Sequence, residues 1–170
     1  MFFPTPIRPN PPTTHDQGNV APRPLPAGVA VRRLNELVKG EISAAETYRR
    51  ALKAFDAEPK ALQRILRDHQ DAVRTLRRLV EESGGVPAHS SGGWGVFART
   101  VEGAAATLGE RPALHALKEG ERYGLSRYAD LLVDDRFPAE WKETLRRDIV
   151  PKERAHVATL ELLLDTEEEA

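Results

Sequence analysis

A glutamate stands inside an otherwise apolar helical stripe twice in this chain, eighty positions apart, and its surroundings repeat with it. Leu34, Leu37, Gly40, Glu41, Ala44, Tyr48 and Leu52 correspond one for one to Leu114, Leu117, Gly120, Glu121, Gly124, Tyr128 and Leu132. A carboxylate on a core-facing stripe is costly unless it is paired, protonated or bound to a cation. A repeated placement therefore asks for a physical reason. Tyr48 and Tyr128 lie two helical turns beyond their glutamates on the same face, as core residues whose hydroxyls can hydrogen-bond a carboxylate.

A second pair of stripes repeats at an offset of 84. Ile65, Leu66, His69, Ala72, Val73, Leu76, Leu79 and Val80 correspond to Ile149, Val150, Glu153, His156, Val157, Leu160, Leu163 and Leu164. The spacing of Glu153 and His156 puts both on one helical face. Four helices would thus turn Glu41, His69, Glu121, Glu153 and His156 toward one interior. Carboxylates and imidazoles without thiolates suit iron or manganese. A carboxylate-bridged two-metal site takes one Glu from each of two helices and Glu-x-x-His from each of the other two. The second hairpin meets that demand in full. In the first, His69 stands where the glutamate should be and Ala72 where the histidine should be, which favours weak or single-ion binding. The competing reading is a metal-free core, with glutamates reaching for water at the edge of a stripe and His69 hydrogen-bonded like any buried histidine.

The elements that must position these groups are helices. Residues 28 onward are rich in Ala, Leu, Arg and Glu, a helix-forming vocabulary. Apolar periodicity predicts helices over about Val29–Phe55, from Pro59 to about Glu82, from after Arg111-Pro112 to about Val133, and from about Pro138 to Asp165. Pro151 should kink the last of these. Short connectors make the first two helices, and the last two, antiparallel neighbours. Residues 84–111 are long enough to cross the bundle and hold a shorter helix over Gly93 to Leu108. The expected fold is all-α, a ferritin-like four-helix bundle over residues 28–165 with one crossover. Residues 1–27 hold most of the 13 prolines and read as an extended, disordered tail, and 166–170 as a frayed acidic end.

Composition narrows the function classes. With 25 basic and 26 acidic residues, nothing in the whole-chain charge points to nucleic acid or an anionic membrane. The absence of cysteine excludes disulfides, thiol catalysis and thiolate metal sites, and fits a reducing, cytoplasmic setting. No apolar run approaches the roughly 20 residues of a membrane span, and no secretory signal is expected at Met1-Phe2-Phe3-Pro4.

Other residues read as bystanders. His15, His89 and His115 lie in the tail, in a loop and off the inner stripe. Asp68 and Asp71 could add a carboxylate to the site only if the second helix were rotated. Arg64, Arg67, Arg74, Arg77 and Arg78, with acids interspersed, form a solvated ion-pair face. Trp94 and Trp141 could anchor the crossover and the start of the last helix. Gly92-Gly93-Trp94-Gly95 lacks the context of a phosphate-binding loop.

Gly40-Glu41…Ala44…Tyr48 resembles the first-helix motif of rubrerythrin-type ferritin-like proteins. The pattern over about residues 30–165 is similar to a bacterial family of ferritin-like four-helix domains of unassigned function. It is carried by LNELVKGE in the first helix, LVEESGG closing the second, ALKEGERYGLSRYADLL in the third and PKERAH in the fourth. The resemblance implies a core site for iron or manganese with oxidation- or peroxide-related chemistry, and allows a homo-oligomer. The alternative is a non-catalytic bundle that serves as a structural or interaction module, with Arg23-Pro24-Leu25-Pro26 offering a protein partner a proline-rich segment.

Overall fold

The computed structural model describes residues 22–55, 60–92 and 109–166. The proline-rich stretch before residue 22, the short helix expected over Gly93 to Leu108, Trp94 and the acidic residues after 166 lie outside them. The described residues contain helices and no strand. Helix α1 is Ala27–Ala54, α2 is Lys60–Glu82 and α3 is Glu110–Val133. The fourth rod is continuous: α4, Ala139–Thr144, runs through a π-helical turn, Leu145–Ile149, into α5, Val150–Thr166.

The apolar stripes close into two core clusters, one toward each end of a four-helix bundle. One holds Leu34, Val38, Leu76, Val80, Leu131, Leu145 and Ile149. The other holds Ala51, Leu62, Ile65, Leu114, Leu117, Leu160 and Leu164. The start of α1 thus meets the end of α2, the end of α3 and the start of the fourth rod, which sets the direction of each helix. Helices α1 and α2 form one antiparallel hairpin, and α3 and the fourth rod form the other. Helix α2 ends in one half of the bundle and α3 begins in the other.

Local chemistry explains the helix ends. Gly84, at φ +72°, takes the left-handed conformation that stops α2, and the Gly85 amide donates to the Val80 carbonyl at 2.9 Å. A Cβ on Gly85 would come within 2.7 Å of Val31 Cγ1, so the helix end and α1 need glycine there. Helix α3 begins at Glu110, before Pro112 rather than after it, because a proline in the first turn gives up only an amide that has no helical partner. The expected disturbance at Pro151 takes the form of the π turn just before it. There the Val150 amide reaches back to the Leu145 carbonyl, and the rod continues. Trp141 packs edge-on to Phe137, with ring centroids 5.4 Å apart, at the start of that rod.

The outer face of α2 is paired as a solvated surface: Arg74 meets Asp71, and Arg78 donates to Glu82 at 2.9 Å. Gly40 sits in the middle of α1, where a Cβ would meet nothing within 4 Å. A mid-helix glycine costs about 0.5–1 kcal/mol against alanine. Gly40→Ala is accordingly expected to raise Tm by about 1–4 °C in a thermal melt followed by circular dichroism. An unchanged or lower Tm would mean the backbone there needs glycine for the fold itself.

Candidate metal centre

A polar layer separates the two apolar halves. On every helix the residues that belong to it fall between the two core clusters: Glu41 on α1, His69 on α2, Glu121 on α3, and Glu153 with His156 on α5. All five are buried, none more than 5% exposed. All the residues singled out by the double repeat therefore meet in one place.

His69 lies at the centre of the layer. Its Nδ1 is 2.8 Å from Glu41 Oε2 and its Nε2 is 3.0 Å from Glu121 Oε1. Both ring nitrogens face carboxyl oxygens, an arrangement that the doubly protonated ring serves with two donors. The tyrosines cross between hairpins. Tyr48 of α1 donates to Glu121 of α3 at 2.7 Å, and Tyr128 of α3 donates to Glu41 of α1 at 2.5 Å. His156 places Nδ1 3.2 Å from Glu121 Oε2, while Glu153 Oε1 lies 3.6 Å from His69 Nδ1 and 3.7 Å from His156 Nδ1. The imidazole rings of His69 and His156 are edge to face, 5.0 Å between centroids.

Burial and charge push these groups in different directions. For His69, burial disfavours the charge, but the Glu121 carboxylate and the hydrogen bonds the ring donates to Glu121 and Glu41 outweigh it and hold the ring well above its ordinary value. For Glu121, burial works upward, yet the His69 charge and the hydrogen bonds to His156 and His69 hold it below the usual carboxylate range. Glu153 goes the other way. Burial, then the neighbouring Glu41 charge, push its carboxyl well up, and His69 offsets only part of this. Both phenols are raised, first by burial and then by the facing carboxylates.

Asp68 is the residue that sequence reasoning set aside. No rotation of α2 is needed to involve it, because His156 comes to it: Nε2 lies 3.3 Å from Asp68 Oδ2. Lys152 in turn sits 2.8 Å from Asp68 Oδ1. Burial alone would raise the Asp68 carboxyl, but the Lys152 and His156 hydrogen bonds lower it. Position one before the inner stripe carried no signal for this; only the approach of α5 creates it. Ala72, where the repeat would have had a histidine, packs in the apolar core. His89 and His115 are exposed, away from the layer.

The donor set suits a cation. One ligand atom from each of His69, Glu121, Glu153 and His156 can be chosen so that all lie within 4.8 Å of one another. Nitrogen and oxygen donors at about 2.0–2.2 Å from an ion span about 4.2 Å across it, so closure needs only side-chain adjustment. Glu41 stands just outside this group, held by His69 and Tyr128. The cluster could hold a metal ion.

Comparison with known proteins places the chain without giving it a function. No curated protein and no solved structure matches it. The matching family model covers residues 29–134, which takes in α1 to α3 with Glu41, His69 and Glu121 and leaves Glu153 and His156 outside. On that match the chain belongs to the family described as a domain of unknown function, DUF2383.

Proposed function

We propose that this protein is a ferritin-like, metal-binding bundle that takes up one iron or manganese ion between its two hairpins. His69, Glu121, Glu153 and His156 are the ligands, with Glu41 beside them. The observation that carries this reading is the convergence of those four buried side chains, from three helices, on a space one ion wide. The crossover connectivity and the all-oxygen-and-nitrogen donor set support it. When bound, such an ion supplies Lewis-acid or one-electron chemistry toward dioxygen or peroxide. The chain's own groups do the positioning. Tyr48 orients Glu121, Asp68 steadies the far nitrogen of His156, and His69 gives up a ring proton to present a lone pair, so uptake releases protons.

One observation favours a second reading, a metal-free structural network. Among the described residues no fully buried side-chain nitrogen or oxygen lacks a hydrogen-bond partner, and Glu41, His69, Glu121 and His156 satisfy one another without an ion. Elemental analysis of protein purified without chelator separates the two. The metal reading expects near-stoichiometric iron or manganese, lost in a Glu153→Ala, His156→Ala double variant. Protein that arrives metal-free and also fails to bind added ferrous or manganous ion under anaerobic conditions would leave the network alone standing.

A further inference from the structure

Helices α1 and α3 carry small residues at matching places, Gly40 and Ala44 on one and Gly120 and Gly124 on the other. Between them lies a cleft of about 250 Å³, with exposed Tyr123 and Arg127 at its mouth and the polar layer as its floor. Leu37 and Leu117 contribute to walls that are mostly apolar. Packing does not require the glycines. A Cβ at Gly40 would meet nothing within 4 Å, and one at Gly124 would meet only Glu153 Oε2, at 3.6 Å. Alanine is the better helix former at both positions. What glycine supplies here is room.

The floor is selective. Glu41 is engaged by Tyr128 and His69, and Glu121 by Tyr48, His69 and His156. A charged guest would lose its hydration, a cost that outweighs the gain from pairing with one buried carboxyl. Glu153 differs: the histidine nitrogens nearest its Oε1 are at 3.6 and 3.7 Å, beyond ordinary hydrogen-bond length, while its Oε2 lies under Gly124, toward the cleft. An apolar cavity of about 150 Å³ is enough to take up benzene, so this one holds a ring with a short substituent.

We propose that the α1–α3 cleft binds a small uncharged molecule, mainly apolar, whose single hydroxyl-type group hydrogen-bonds Glu153 Oε2. Binding does not depend on the metal reading, because Oε2 faces the cleft whatever holds Oε1. The test is a titration of the full chain, dialysed against chelator, with benzyl alcohol, benzoate and benzylammonium, followed by NMR chemical shifts. Benzyl alcohol should saturate one-to-one and move the resonances of Gly124, Tyr48 and Tyr128. The two charged analogues, and benzyl alcohol on Gly40→Leu, should bind at least about tenfold more weakly. Three results would each overturn the proposal: no saturable shift, shifts centred elsewhere, or charged analogues binding as well as the alcohol. If Gly40→Leu fails to fold, the shift map and the ranking of analogues on the unaltered chain still decide.

Discussion

Glu121→Gln is expected to destabilise the metal-free protein by about 3 kcal/mol, while Glu153→Gln should cost less than about 1 kcal/mol. The two carboxyls sit in the same buried layer, yet their surroundings are opposite. Glu121 accepts from Tyr48 and His69 on one oxygen and faces His156 with the other. An amide in its place turns one acceptor into a donor pointed at a donor and leaves the His69 charge with one partner fewer. Glu153 is pushed up by burial and by Glu41, which favours its protonated form, and glutamine is close to the isostere of that form. Urea denaturation with chelator present, read as ΔG extrapolated to water, measures both. A Glu121→Gln protein as stable as the parent would mean that Glu121 feels repulsion from Glu41 and Glu153 more than attraction from His69.

Raising the pH from about 5 to 9 should weaken the metal-free fold and strengthen the effect of added metal. His69 has a folded value raised above its unfolded value of about 6.5. Its stabilisation is complete below that unfolded value and is lost as the pH climbs through the folded one. Glu153 acts in the same sense: its folded value is raised above about 4.3, so the fold holds a proton the unfolded chain has released. Glu121 supplies the acid limb, because its lowered folded value gives stability that is present above about 4.3 and lost on acidification. The metal-free protein is thus most stable on the acid side of neutrality. A metal ion competes with the protons on His69 and Glu153, so the gain in Tm from added manganous ion should grow over the same range. Melts across that range, with and without the ion, check both trends. A metal-free Tm that rises with pH would show that His69 is not charged between Glu41 and Glu121.

The double repeat already contained the helices, their inward faces and the five polar residues that share the interior. Periodicity could do this because a helix assigns each residue a face whatever it packs against. The short connectors and the long one then set the order in which helices neighbour each other. The same logic could not read relations between helices. Seven residues separate Tyr48 from Glu41, a rise of about 10 Å along the axis, so the tyrosine cannot meet its own helix's glutamate. It meets Glu121 of the opposite hairpin, and Tyr128 returns the exchange with Glu41. Asp68 joins the layer only because His156 approaches from another helix, and Pro151 is absorbed by a π turn whose place depends on how Leu145 and Ile149 enter the core. Where a side chain points is a property of one helix and is written in its residue order. What it touches depends on how close and in what register two helices settle, and that is decided by the packing of the whole bundle.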